Sequence, residues 1–475
     1  MKVCFVVEGC YPYVMGGVSS WVHSIIKMFP HVEFAIAAVI ADRSYRGKFV
    51  YELPENVSEI YEIYLNDKDW ITETKTGSMS DTEYATLRQL IMDRNVDWDG
   101  VFEYFQKKER SLNDLLMGED FLNIITALYD RDYPEIAFTD FLWTMRSLYL
   151  PLFHALVSEV PKADIYHCVA TGYAGIIGCM GHYLYGGKLL LSEHGIYTRE
   201  REEELIKADW VQGIYKDIWI ALFRKMSQVI YDRADKVISL FEHARELQIE
   251  LGCPPEKTQV IHNGIDPLQF DNIPGKTEED EDFVNIGAFL RIAPIKDVKT
   301  MIQAFSVAKK YAPKLKLWIM GPDAEDVEYA RECYDYVDYL KVSDIEFTGR
   351  INTREYIGRM DATILTSISE GQPLTILEGY AAHKPAIATD VGNCRGLIYG
   401  ENDDFGTAGI LTHVMNVDEI ASAMVFIAKN REKARAMGEI GYKRMMNRFK
   451  LSDLKNAYTK IYKQFGEELG LEWQE

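Results

Sequence analysis

Residues 362–379 read Ala-Thr-Ile-Leu-Thr-Ser-Ile-Ser-Glu-Gly-Gln-Pro-Leu-Thr-Ile-Leu-Glu-Gly. An apolar strand-like run, Ala362 to Thr366, leads into a polar loop carrying Glu370, Gly371 and Gln372, and an apolar segment from Leu374 reads as a helix. Strand, loop and helix in that order are part of a parallel α/β sheet, and open sheets of this kind bind ligands beyond the carboxyl ends of their strands. The first helical turn offers unpaired N–H groups to an anion or a sugar hydroxyl. Glu370 is placed at the loop tip and Glu378 about two turns along the helix, on roughly the same side at about 100° per residue. One carboxylate can then face a hexose and the other a ribose. Standing alone, such a pair is more often a loop acid followed by a solvated helix glutamate.

Working outward, the same alternation fills the second half of the chain. Strands are predicted at Phe283 to Ala288, Lys316 to Met320, Ile345 to Thr348 and Ala386 to Thr389, with helices over about Val298 to Tyr311, Ala324 to Tyr339 and Leu374 to Ala382. Strands alternating with helices imply a parallel sheet covered on both faces. The acidic stretch Asp271 to Asp282 has little apolar content and reads as a linker. Before it, Val3 to Val7, a loop punctuated by Pro12, Gly16 and Gly17, a helix over Val18 to Phe29 and a strand from Phe34 to Ile40 make a βαβ start. Between about residues 42 and 162 the alternation breaks into acidic, aromatic, helical patterns, read as a largely helical insertion. It resumes at Ile165 to His167 and Lys188 to Ser192 and ends at Gln259 to Ile261. The expected organisation is therefore an α/β protein of two Rossmann-like domains facing across a cleft. Residues 1–270 form the first domain with its insertion at about 42–162, residues 283–440 form the second, and the helices of 441–475 are candidates for crossing back to the first.

Composition narrows the function. A length of 475 residues exceeds a single-core size, and no apolar run reaches the about 18 residues of a bilayer span. The short run Lys2 to Val7 lacks the features of a secretory signal, which places the protein in the cytoplasm. Seven cysteines, scattered and without a C-x-x-C, argue against a disulfide framework or a zinc site. A net charge of −21 repels nucleic acid at long range.

Several residues at predicted strand ends carry chemistry. Arg291 and Lys296 follow the first strand of the second domain, and two fixed cations can neutralise a diphosphate leaving group without a metal. Gly16 and Gly17 precede a helix start near Ser19 and Ser20 and let the backbone approach a ligand closely. They do not form a G-x-G-x-x-G fingerprint, so a nicotinamide dinucleotide is poorly supported. His194 and His167 stand at strand ends of the first domain and suit hydrogen bonding to substrate. Asn263-Gly264 after the last strand of that domain reads as a tight turn with left-handed residues.

Taken together, Gly16-Gly17, the stretches SEHGIYTRERE (192–202) and VIHNGID (260–266), Arg291 with Lys296, FTGR (347–350) and SEGQPLTILEGYAAHKPAIATDVG (369–392) give the chain a resemblance to the retaining glycosyltransferases of the two-Rossmann, GT-B type, in family 4, over essentially its whole length. The resemblance implies a UDP-sugar donor, a saccharide acceptor belonging to a growing exopolysaccharide, no cofactor and no metal. It implies that Glu378 binds the ribose hydroxyls, that Arg291 and Lys296 bind the diphosphate and that Glu370 contacts the hexose. The backbone of Gly371, Gln372, Leu374 and Thr375 would hold hexose hydroxyls, Gly16 and Gly17 would approach the phosphates, the Arg350-Ile351 backbone would read the base, Asn263 would add a donor contact, and His194 would touch the sugar or the acceptor. Glu370, Arg291, Lys296 and His194 are thus the catalytic candidates. The family reaction has no protein nucleophile; the leaving phosphate helps to deprotonate the acceptor. Pro373 stands where the family pattern has glycine and removes one amide donor. His167-Cys168-Val169 replaces the usual H-x-H, which makes His194 the stronger histidine. The implied partners are inner-membrane components of a polysaccharide synthase, which would bring a cytoplasmic enzyme to the inner membrane face. Trp70, Trp98 and Trp143 of the insertion are candidates for acceptor or partner contact. The alternatives are a nucleotide-sugar epimerase or a phosphorylase on a related fold, and a non-catalytic nucleotide-sugar-binding scaffold.

Overall fold

The computed structural model describes residues 1–67, 79–93, 95–107 and 110–473. The chain divides into two compact units, Met1–Val260 together with Thr459–Glu475, and Ile261–Tyr458. The first holds a seven-stranded sheet with strands β1 (Lys2–Glu8), β2 (Glu33–Ile40), β3 (Val57–Tyr64), β4 (Ile165–Cys168), β5 (Lys188–Glu193), β6 (Lys236–Ser239) and β7 (Thr258–Val260), in the order β3-β2-β1-β4-β5-β6-β7. The second holds six strands, β8 (Val284–Phe289), β9 (Leu315–Met320), β10 (Ile345–Gly349), β11 (Ala362–Leu365), β12 (Ala386–Thr389) and β13 (Gly409–Thr412), in the order β10-β9-β8-β11-β12-β13. Every strand pairing is parallel. The central strands are continuous apolar runs buried on both faces; all six residues of β8 are buried, as such sheets require. Each sheet reverses its direction of growth once, between β1 and β4 and between β8 and β11. These are the switch points where α/β sheets bind ligands.

Two sequence expectations about domain organisation change. The insertion does not begin near residue 42, because Val57–Tyr64 is an edge strand of the first sheet. Its alternation leaves only Ile63 fully buried, and its glutamates and tyrosines read as part of the acidic, aromatic region around it. The helices that follow β3 are Asp81–Met92, Trp98–Gln106, Leu112–Met117, Glu119–Asp132 and Phe138–Val157. They are not an appended module: Leu87, Phe102, Phe121 and Phe141 share one core cluster with Val6, Ala35 and Tyr166. Trp98 lies in that core, Trp143 is 55% exposed, and Trp70 lies outside the described residues.

The linker reading of Asp271 to Asp282 is corrected as well, since the division falls at Val260 and the whole stretch belongs to the second unit. Asp280 is buried and accepts from Arg359 Nε at 2.9 Å, and Lys276 donates to the Phe283 carbonyl at 2.8 Å. Lys276 and Asp280, which look solvated in sequence, are here matched by Asp361 and Arg359. Finally, the last helix, Leu451–Glu468, starts in the second unit and ends in the first. Its Tyr462 hydroxyl meets His167 Nδ1 at 2.8 Å.

Candidate functional site

In the second unit the loops after β8 and β11 are tied together before any ligand is considered. Thr366 Oγ1 donates to the carbonyls of Lys296 at 3.0 Å and Asp297 at 3.1 Å, and the Ile368 N–H donates to the Ile295 carbonyl at 2.8 Å. Lys296 sits in a single 3-10 turn, Pro294–Lys296, that ends at Asp297, a residue in the left-handed region at φ 48°. This turn aims Lys296 Nζ at Glu370 Oε1, with which it forms an ion pair, and Ser367 Oγ donates to the same oxygen at 2.6 Å. The pair is largely shielded, with 17% and 12% of the two side chains exposed, so the attraction between the two charges is screened less than in a surface bridge. Arg291 is half-exposed and pairs with Glu325 in the loop after β9.

The Glu370-Gly371 loop rests on the turn that follows β12. Asn393 N–H donates to the Gly371 carbonyl at 2.8 Å, and Thr389 Oγ1 to the Ser367 carbonyl at 2.6 Å. Gly392 has φ 51°, and a Cβ there would stand 2.2 Å from the Gly371 carbonyl oxygen, so only glycine lets the two turns touch. Gln372 is buried and spends its side chain on Asn263: its Oε1 accepts from the Asn263 N–H at 3.0 Å and its Nε2 donates to the Asn263 carbonyl at 3.3 Å. That leaves backbone, not the Gln372 amide, for a ligand. Asn263 is not the left-handed turn residue expected; neither it nor Gly264 has a positive φ, and Gly264 packs against the Lys450 carbonyl.

The two-turn separation of the glutamates is corrected. The helix is Leu374–Ala381, so Glu370 precedes it and Glu378 lies just past its first turn. Proline is the reason: Pro373 is the N-cap, and a residue before proline is driven out of helical conformation. The helix start carries no side-chain cap, and Leu374 and Thr375 there are half-buried. Glu378 is held up at about 7 by burial, opposed by the positive charge of Arg354. Arg350 and Ile351 follow β10, in the same loop that leads to Arg354. Glu370, Gly371, Lys296, Arg291, Leu374, Thr375 and Glu378 thus all belong to the carboxyl ends of β8 and β11 or the helix directly after.

In the first unit, Gly16 is the N-cap of the helix Gly17–Met28, two residues earlier than expected, again without a side-chain cap. A Cβ on either glycine would meet no atom; packing does not demand glycine here. His194 directly follows β5 and lies edge-on to Trp21 of that helix, with ring centroids 4.4 Å apart. Burial pushes its imidazole down to about 4, which keeps it neutral, and its Nε2 is buried without a hydrogen-bond partner. His167 behaves differently. It lies inside β4, stacks on Phe5 and bonds to Ser192 Oγ at 2.7 Å and to Tyr462. Both ring nitrogens hold the fold together, so its expected place at a substrate contact is not where the structure puts it.

Sequence reasoning missed Glu325, Thr389 and Gly392, whose roles are contacts between loops far apart in the chain, and Ser367, whose hydroxyl bonds Glu370 within its own loop. It also missed Glu8. Its Oε1 accepts from the Tyr197 hydroxyl at 2.9 Å and its Oε2 from the Ala174 N–H at 3.1 Å, at the start of the helix Tyr173–Tyr185.

With this geometry in hand, comparison with known proteins is decisive for family. Residues 1–256, more than half the chain, match the family described as "Domain of unknown function (DUF3492)", and residues 269–444 match "Glycosyl transferases group 1". The chain belongs to the DUF3492 family, and its second half is a group 1 glycosyltransferase domain. It is 26% identical over 224 residues to the N-acetyl-alpha-D-glucosaminyl L-malate synthase of Bacillus anthracis, covering 45% of this chain and 55% of that enzyme. It is 24% identical over 298 residues to the UDP-Gal:alpha-D-GlcNAc-diphosphoundecaprenol alpha-1,3-galactosyltransferase of Escherichia coli, covering 60% of this chain and 71% of that one. Anabaena Alr3699/HepE, solved in complex with UDP-glucose, superposes with a TM-score of 0.61 at 14% identity, covering 98% of this chain and all of that one. At that identity the likeness is one of fold: the chain has the GT-B fold, with two parallel-sheet Rossmann-like units.

Proposed function

We propose that this protein is a retaining, metal-independent family 4 glycosyltransferase that moves a hexose from a UDP-sugar, of the UDP-glucose or UDP-N-acetylhexosamine type, to a growing exopolysaccharide. The observation that carries the reading is the convergence of Arg291, Lys296 and Glu370 with the uncapped start of the helix Leu374–Ala381 at the switch point of the second sheet. Arg291 and Lys296 take the diphosphate, Glu378 takes the ribose hydroxyls, and Glu370 with the N–H groups of Gly371, Gln372, Leu374 and Thr375 takes the hexose. Arg350 and Ile351 present backbone to the base.

The bond from the anomeric carbon to the leaving phosphate oxygen breaks while the acceptor oxygen bonds to the same face. The acceptor proton passes to that phosphate oxygen. Cations fixed beforehand stabilise the charge that develops there without reorganising. His194, held neutral, serves hydroxyls of sugar or acceptor, and the bare helix start at Gly16 and Gly17 approaches the phosphates. Among the described residues no helix is long and apolar enough to cross a membrane. The resemblance of the whole chain to the Pel exopolysaccharide glycosyltransferase supports a place on the cytoplasmic side of the inner membrane, beside synthase components, and a role in biofilm polysaccharide.

The test is a product assay against a panel of UDP-, GDP- and ADP-sugars in excess EDTA. Transfer from a UDP-hexose with the α-configuration kept is the expected result. Epimerised donor without transfer, inversion, or activity that returns only with magnesium would each contradict a stated part of the proposal.

A further inference from the structure

Glu325 is the acid that occupies Arg291. The loop between β9 and the helix Val327–Leu340 carries Asp323, Glu325 and Asp326, and two of the three are committed elsewhere. Asp323 accepts from the Tyr334 hydroxyl at 2.8 Å, and Asp326 caps the helix by accepting from the Tyr329 N–H at 2.9 Å. Glu325 alone turns back to the guanidinium of Arg291. The backbone beneath this pair is fixed: Leu290 N–H donates to the Met320 carbonyl and Ile292 N–H to the Pro322 carbonyl, both at 3.0 Å. Gly321, at φ 155°, lets the two loops touch, since a Cβ there would lie 1.8 Å from the Leu290 carbonyl oxygen. The side chains themselves are 36% and 46% exposed, so they can part without unfolding anything.

We infer that Glu325 is an internal competitor for Arg291, a carboxylate standing where the diphosphate of the nucleotide must bind, which weakens the hold on the nucleoside diphosphate and favours its release after transfer. The inference rests on the proposed role of Arg291. A carboxylate and a phosphate present the same paired oxygens to the guanidinium fork, so the two exclude one another there. Lys296 is held by Glu370 in the same way, but Glu370 has the hexose as its own partner, whereas Glu325 has no part in the proposed donor contacts. Competition from an exposed pair is worth little, and the effect is set accordingly at about two- to fivefold in affinity.

The experiment is calorimetric titration of UDP and of inorganic pyrophosphate into the wild type, Glu325→Gln, Glu325→Ala, Arg291→Ala and the Arg291→Ala, Glu325→Gln double variant, with uridine as a probe that lacks phosphate. Both Glu325 variants should bind UDP and pyrophosphate about two- to fivefold more tightly than the wild type. The gain should shrink in about 0.5 M salt, be missing for uridine and vanish in the Arg291→Ala background. Unchanged or weaker pyrophosphate binding in both variants, or a gain of the same size for uridine, overturns the inference. Failure of the donor reading looks different: no protein in the series would then bind UDP, while the pyrophosphate comparison still decides the role of Glu325.

Discussion

The two units place a helix after the first strand and another after the switch strand, and they treat these four helix starts in opposite ways. In the first unit the helix after β1 begins bare at Gly16 and Gly17, while the helix after β4 is stopped by Glu8, whose carboxylate accepts from the Ala174 N–H. In the second unit the helix after β8 is capped by Asp297, which accepts from the Thr300 N–H at 3.4 Å, while the helix after β11 begins bare at Leu374. A helix start that already holds its own carboxylate is closed to a second anion. Each unit therefore leaves one open. Their surroundings differ again: Arg291 and Lys296 lie at strand ends beside the Leu374 helix, whereas the Gly17 helix has neutral His194 packed on its Trp21. One fold, used twice, leaves one open helix start near fixed cations and one near a neutral imidazole.

The largest expected effect breaks the comparison at its charged end. Lys296→Ala should cut transfer by about 10²–10³-fold, the usual cost of removing a preorganised charge at a developing anion. Steady-state rates with a UDP-hexose measure it; a change below about fivefold would remove Lys296 from the reaction.

Glu378→Gln should weaken UDP binding by about 1–3 kcal/mol, since a neutral amide accepts hydroxyl hydrogen bonds less well. Burial raises the Glu378 carboxyl to about 7, so the charged, better-accepting form gains ground as pH climbs through that value. Wild-type affinity should rise relative to the variant across the same window. A ratio that stays flat with pH would show that the carboxylate does not meet the nucleotide.

In the first unit the buried acid is Glu193, which burial lifts to about 7 against donors from Gln248 at 3.0 Å and Tyr231 at 2.8 Å. Its folded value lies above the unfolded one, so its contribution is complete below about pH 4.5 and is lost as pH rises through about 7, amounting to roughly 1–3 kcal/mol. Glu193→Gln should flatten the decline in stability between about pH 5 and 7.5, followed by denaturation at fixed temperature. An identical decline in both proteins would locate the titration elsewhere.

The smallest effect is expected at the bare start of the first helix. Gly17→Ala places a methyl where no atom lies within 4 Å, and stability should stay within about 0.5 kcal/mol. A larger loss would mean that glycine is there for the fold rather than for an approaching ligand.

Much of this was legible in the sequence where one signal suffices. The helix Val298–Tyr311 and the strand Ala386–Thr389 lie where periodicity puts them, and Arg291, Lys296 and Glu370 stand at strand ends because short loops leave them nowhere else. The edge strand Val57–Tyr64 was hidden because an edge buries little and its alternating glutamates look solvated. Asp271 to Asp282 misled for the complementary reason: two of its charges, Asp280 and Lys276, are partnered by Arg359 and Asp361, some 80 residues away. The distance between Glu370 and Glu378 was misjudged by counting helix across Pro373. Glu8, Glu325 and Gly392 carry no local signal, since each acts through a neighbour brought close only by the sheet.

The central claim is that the nucleotide diphosphate binds at the open helix start of the second unit and not at the closed one of the first. Hydrogen–deuterium exchange with and without UDP tests it directly. The account predicts protection over residues 290–297 and 366–378 and no change over 172–198; protection confined to 172–198, with the Leu374 helix exchanging as before, would contradict it.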